Sequence, residues 1–144
     1  MISTTSIEKA KQLIKKSKDK IVVVQAQDNH FNRKLLEYGK FHILLSPETQ
    51  AKKDHSKYLD SGLNHVMAKI AAKNKIAIGI DLKRIQDLDK KQKALTLARI
   101  KQNIKVCRKA KCKLALLNYK DEKDAFDFLI SLGASTGQAK EAIF

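Results

Sequence analysis

The stretch Ser61-Gly62-Leu63-Asn64-His65-Val66-Met67-Ala68-Lys69-Ile70-Ala71-Ala72-Lys73-Asn74-Lys75-Ile76-Ala77-Ile78-Gly79-Ile80-Asp81-Leu82 changes its period halfway along. In the first half Leu63, Val66, Met67, Ile70 and Ala71 recur at i, i+3, i+4, i+7 and i+8, the apolar stripe of an amphipathic helix, with Ser61 placed as its N-cap. From Lys75 to Leu82 the pattern becomes an almost unbroken apolar run, which predicts a strand covered on both faces, as in a parallel sheet. A helix that feeds such a strand is one αβ unit, and the flanking sequence repeats it.

Downstream, a long helix from Asp89 to Ala110 carries Leu97, Ile100, Ile104 and Cys107 as a buried stripe and leads to a strand over Lys113–Leu117. Ala125, Phe128, Leu129 and Leu132 then mark a helix stopped by Gly133, and Ser135 opens a short last one ending near Phe144. Upstream, Ile21–Ala26 reads as a first strand. A short helix over Phe31–Tyr38 ends at Gly39, and Phe41–Leu45 is a second strand closed by Ser46-Pro47. A polar loop runs from there to Ser61. The capping-box spacing of Thr5 and Glu8, with Ile7, Ala10, Leu13 and Ile14 behind it, predicts a first helix over Ser6–Ser17. This alternation predicts an α/β fold of right-handed, parallel βα units. Four strands are too few to close an eight-stranded barrel, so the expectation is one domain over residues 1–144, a truncated or half TIM-like barrel of about four strands.

A chain of 144 residues buries a sizeable core, and 30 Lys and Arg against 15 Asp and Glu leave it with a net charge of +15. Such a surface suits a polyanion. A hydrophobic content of 43% argues against a disordered basic tail. Two cysteines, and no secretory pattern ahead of the first helix, lead to a cytoplasmic expectation, and no apolar run approaches the length of a membrane span.

In parallel βα proteins the working face is built from loops at the carboxyl ends of the strands. Those loops carry Gln27 to His30 with Arg33, Pro47 to Asp60 with Lys52, Lys53, His55 and Lys57, and Asp81 to Arg84 with Lys83, so cations are expected on that rim. On the Ser61 helix, His65 and Lys69 lie one turn apart opposite the apolar stripe, with Lys73 beside them. On the long helix Lys101, Lys105 and Arg108 share a face, near Arg99, Lys109, Lys111 and Lys113. Each of these taken alone equally fits a solvated lysine face; the net charge raises the set above its members. Catalytic signals are poor. The four histidines show no metalloprotease-type spacing, and Cys107 and Cys112 lack a zinc pairing, Cys107 falling on the apolar stripe as a buried thiol. No metal is expected. Ser61-Gly62 reads as an N-cap rather than a nucleophile, the glycines form no phosphate loop, and aromatic residues at 6% form no stacking platform.

Several segments together resemble ribonuclease P protein component 3 of archaea and eukaryotes: Tyr38-Gly39-Lys40, Ile43 to Pro47, Ser61 to Lys69, Asn74 to Ile80, Ala98 to Ile104, Cys107 to Lys111, Leu116 to Asn118, Ser131 to Ala134, and Gln138 to Lys140. The resemblance covers roughly residues 20 to 143 and implies an α/β barrel related to a phosphoesterase superfamily whose metal chemistry has been lost. It further implies an accessory, RNA-binding subunit with no active site of its own, partnered by ribonuclease P RNA and ribonuclease P protein component 2. Precursor tRNA would be met indirectly, and the RNA with its magnesium would remove the 5′ leader. Arg33, His65, Lys69, Lys101 and Arg108 match basic positions of the family pattern; Lys73, Lys83, Arg84, Arg99 and Lys111 join them by charge and placement. Family members carry several βα units ahead of the segment matching Ile21, where this sequence has one helix. The alternatives are a metal-dependent phosphoesterase on the same ancestral fold and a generic basic RNA-binding domain.

Four parallel strands have two edges, and the apolar faces of Val22–Val24 and Ile76–Ile80 need cover. Self-association into a homodimer, or cover by component 2, is the resulting expectation.

Overall fold

The computed structural model describes residues 1–50 and 61–143. The elements run α1 (Ile7–Lys16), β1 (Val23–Gln25), α2 (Asn29–Tyr38), β2 (Ile43–Leu45), a 3-10 turn (Pro47–Gln50), α3 (His65–Lys73), β3 (Ala77–Asp81), α4 (Leu82–Gln86), α5 (Lys90–Ala110), β4 (Leu114–Leu117), α6 (Glu122–Ser131) and α7 (Thr136–Ala142).

The four strands form one parallel sheet in sequence order, β1-β2-β3-β4, with Val24 opposite Leu44, Leu44 opposite Ile78 and Ile78 opposite Leu114. Each right-handed crossover therefore steps the same way and lays its helix on the same face, where α1, α2, α3 and α5 pack side by side. Val22, Val24, Leu44, Ile76, Ile78, Ile80, Leu114 and Leu116 face those helices and make one core with Leu35, Met67, Ile100, Ile104 and Leu129. This is the expected α/β fold, a sheet curved as in part of a TIM-like barrel.

The opposite face carries the alternate residues Val23, Gln25, Ile43, Leu45, Ala77, Gly79, Ala115 and Leu117. Its middle is filled from β2. A Cβ on Gly79 would lie 2.7 Å from Ile43 Cγ2 and 3.0 Å from Leu45 Cδ1, and Ile43, Leu45 and Ala115 are all buried. At the edges, Ile2 bridges to Val24 through hydrogen bonds with the Val23 carbonyl and the Gln25 amide, both 2.8 Å, and α7 packs against β4. The apolar strands that were expected to need outside cover thus find most of it within the chain.

Four local expectations are corrected. The N-cap of α1 is Ser6, whose hydroxyl accepts from the Lys9 amide, so the helix starts one residue later than Thr5 suggested. The N-cap of α3 is Asn64 rather than Ser61. Ser61 lies in a turn ahead of the helix, its hydroxyl bonded to the Leu63 carbonyl at 3.2 Å, and the next residue, Gly62, has φ 77°. The run read as a strand to Leu82 ends at Asp81, which caps the short helix α4. Strands one and two are shorter than Ile21–Ala26 and Phe41–Leu45, while the bonds continue ahead of β2: the Val22 carbonyl accepts from the His42 and Ile43 amides.

Helices α3 and α5 stop by the same device. The Ile76 amide bonds to the Ala71 carbonyl at 2.8 Å and the Cys112 amide to the Cys107 carbonyl at 2.9 Å, with left-handed backbone at Lys75 (φ 58°) and Lys111 (φ 62°). Glycine is usual there; a lysine in this conformation costs on the order of 1 kcal/mol more. Helix α6 ends the same way with Gly133 in the left-handed position. Cys107 and Cys112 are free and buried, and contact with Cys112, together with burial, raises the Cys107 thiol well above its usual range.

Candidate nucleic-acid interface

The carboxyl rim of the sheet spends its polar groups on holding its own turns. After β1, Asp28 caps α2 by accepting from the Phe31 amide at 2.8 Å, and fully buried Asn32 bonds twice to Gln27, accepting from its amide (2.7 Å) and donating to its carbonyl (2.9 Å). After β3, Asp81 caps α4 and also accepts from Asn118 Nδ2 at 2.9 Å, which ties the ends of β3 and β4 together. Ser46 and Asn118, the residues just beyond β2 and β4, both have left-handed backbone.

Behind this rim sits a buried carboxylate. Glu48 lies 3.7 Å from the half-exposed guanidinium of Arg84. Burial raises its pKa from 4.5 to about 7; the Glu48 amide and then Arg84 pull it back down, and Asp81 pushes it further up. Glu48 Oε1, Ser46 Oγ and Asn103 Oδ1 are buried without a hydrogen-bond partner among the described residues. Among the described residues no three His, Cys, Asp or Glu side chains are grouped to hold a metal ion.

The described part of the carboxyl rim carries acids beside the expected cations. Its connections hold Asp28, Glu48, Asp87, Asp89 and Asp121 against Lys83, Arg84 and Lys120. The acids collect there because helices start at that rim and aspartate is a favoured N-cap: Asp28, Asp81, Asp89 and Asp121 all serve as one. Lys52, Lys53, His55 and Lys57 lie outside the described residues.

The ten candidate RNA-binding residues do not converge on one spot. His65 and Lys69 are exposed on α3, with Lys73 exposed at its last turn. Lys101 is exposed on α5, which packs beside α3, so these two helices present one outer basic surface. Arg33 is paired with Glu37 at 3.2 Å. Arg84 is bound up with Glu48, Arg99 is half-buried, and Lys83 is exposed on α4. Arg108 donates to the Gly133 carbonyl at 2.6 Å, joining α5 to the turn between α6 and α7, while Lys111 is exposed in its left-handed turn. The pairing of Glu48 with Arg84 and of Asp81 with Asn118 was not foreseen, because both join segments far apart in sequence.

Fold and surface define a class: a strongly basic parallel βα protein with a helix layer on one face of its sheet. No protein-family model matches the chain. Ribonuclease P protein component 3 of Methanocaldococcus jannaschii is 29% identical over 110 residues, which is 75% of this chain and 44% of that protein. The same component of Methanococcus maripaludis is 27% identical over the same shares. A chain of a cryo-EM structure of archaeal ribonuclease P with mature tRNA superposes with a TM-score of 0.76 at 25% identity, covering 98% of this chain and 62% of that one. The chain is thus similar to ribonuclease P protein component 3 over 110 residues, and it spans less than half the length of the curated relatives it matches. No helix among the described residues is long and apolar enough to cross a membrane.

Proposed function

We propose that this chain is an RNA-binding protein subunit of ribonuclease P that assists the catalytic RNA in removing the 5′ leader from precursor tRNA. The observation that carries the reading is the superposition of 98% of the chain on a chain of archaeal ribonuclease P. A net charge of +15 on a folded body supports it, since binding to a polyanion gives that charge a use. Its partners would be ribonuclease P RNA and ribonuclease P protein component 2, with precursor tRNA met through the complex. Magnesium would be held by the RNA, and no chemistry is assigned to the protein's own side chains.

The test is reconstitution. Adding the chain to ribonuclease P RNA with component 2 and a labelled precursor tRNA should raise leader removal above that of RNA and component 2 alone. Direct titration of the RNA should show affinity falling steeply with salt, and Lys101→Ala should flatten that slope by about one unit. Equal affinity for ribonuclease P RNA and for an unrelated structured RNA, with no effect on cleavage, would leave only a generic basic RNA-binding domain.

A further inference from the structure

The strands are parallel, so every connection that enters a strand lies at one end of the sheet, the amino rim. Those connections carry Lys18 and Lys20 before β1, Lys40 before β2, Lys75 before β3, and Lys111 and Lys113 before β4, with Asp19 as the single acid among them. Helix C-termini also end here, and cations in their last turns, such as Lys73 of α3 and Lys109 of α5, are accounted for by the helix dipole. That account does not reach Lys20, Lys40 or Lys113, which lie beyond the helices. Nor does it explain why lysine occupies the left-handed positions 75 and 111, where glycine is the easier residue. Strained backbone of this kind collects at functional positions.

A second observation lies between these turns. A cavity of about 230 Å³ opens at the amino rim, floored by Ile21, Ile43, Ala77 and Ala115 and flanked by His42, Lys75 and Lys113, with Glu141 on its border. His42 Nδ1 accepts from the Val22 amide at 2.9 Å, so a neutral His42 ring carries its proton on Nε2 and has a donor left over. The residue itself is exposed, as are Lys40, Lys75, Lys111 and Lys113. Lys40 is steadied by lying 5.7 Å from the Tyr38 ring centre.

We propose that the amino rim is a seat for an RNA backbone, with phosphates held by Lys40, Lys75, Lys111, Lys113 and His42 and one ribose or base resting on the apolar floor of the cavity. This rests on the functional reading above and gives it a location, on the end of the sheet opposite the one where parallel βα proteins usually work. The left-handed turns fit this role because they carry lysines at the rim immediately before strands whose register is fixed. Glu141 sets a limit: a phosphate takes the lysine side of the cavity.

The left-handed lysines also supply a clean test. Lys75→Gly and Lys111→Gly remove charge at positions where glycine relieves the backbone, so they should leave the melting temperature unchanged or raised. Combined with Lys113→Gln, they should lower the salt slope for ribonuclease P RNA by about two units, at roughly 0.7–0.9 per lost phosphate contact. The control is Lys91→Gln with Lys120→Gln, two exposed lysines near the carboxyl rim, which should change the slope far less. Lys40→Gln with Lys113→Gln provides a second rim variant that leaves both left-handed turns untouched. Titrations with ribonuclease P RNA and with mature tRNA, run in parallel, tell which RNA occupies the rim. A slope unchanged in both rim variants, or a control that loses as much per lysine, overturns the inference while leaving RNA binding intact. A wild-type chain that binds neither RNA overturns the functional reading, and this inference with it.

Discussion

Glu48→Gln isolates the cost of one buried charge. The Glu48 carboxyl is almost fully buried, its Oε1 has no hydrogen-bond partner among the described residues, and burial raises its pKa from 4.5 to about 7 against the smaller pulls of the backbone and Arg84. The folded state therefore holds a proton that the unfolded state releases. Below the unfolded value the carboxyl is neutral in both states and costs nothing; as pH rises from about 4.5 through 7, stability is lost. The gap is about 2.5 pH units, and at about 1.4 kcal/mol each the limiting loss is on the order of 3 kcal/mol. Glutamine has the shape of the protonated side chain and never ionises. The variant should therefore match the wild type near pH 4.5 and exceed it by up to about 3 kcal/mol at pH 8.5, on the order of 10 °C in melting temperature. Urea or thermal unfolding of both proteins at the two pH values, at constant ionic strength, measures the difference directly. A variant offset by the same amount at both pH values, or less stable at pH 8.5, would refute the reasoning and show that the attraction of Arg84 outweighs the cost of burial.

Asn32→Ala should cost on the order of 3 kcal/mol in chemical denaturation, because it strips both partners from the Gln27 backbone beside a fully buried side chain. Arg108→Ala should lower stability by about 1 kcal/mol through loss of its bond to the Gly133 carbonyl, whereas Lys101→Ala should stay within about 0.5 kcal/mol of wild type. Comparing the melts of these two with their salt slopes separates a fold contact from an RNA contact. Because Ile2 and α7 occupy the flanks of the sheet and the helix-facing strand residues are buried, the purified chain should run as a folded monomer in light scattering. A dimer that dissociates on Val23→Lys would instead show self-association through the sheet face opposite the helices.

The sequence made the α3–β3 unit, the long helix α5 and the strand before α6 readable because each has one unambiguous period and a distinct stop. It concealed α4, since the apolar run reads as a strand to Leu82 followed by a loop until the Asp81 carboxylate is seen capping a helical turn. It also misplaced the start of α3. Serine before glycine is a good capping pattern, yet Gly62 packs so closely on the Pro47 carbonyl that the chain must turn there before the helix can begin. For the site the obstacle is of another kind. Lys40, Lys75 and Lys113 stand tens of residues apart and look like isolated surface charges; the parallel register is what brings them to one rim. The carboxyl rim was expected to be cationic because basic residues occur in its loops; the aspartate caps at four helix starts, which set acids beside them in the described part, were not counted in that expectation.

The closeness of Ile43 and Leu45 to Gly79 restricts anything that would complete this sheet into a closed cylinder. In a closed βα barrel, layers of side chains from opposite walls share and fill the interior. Here one wall already reaches across the strand beside it, which leaves little depth at the levels of Ile43 and Leu45. A complementary half, whether evolved or engineered, would have to present glycine or alanine at those two levels and place its bulk above and below them. Libraries of candidate halves could be sorted on that criterion by sequence alone.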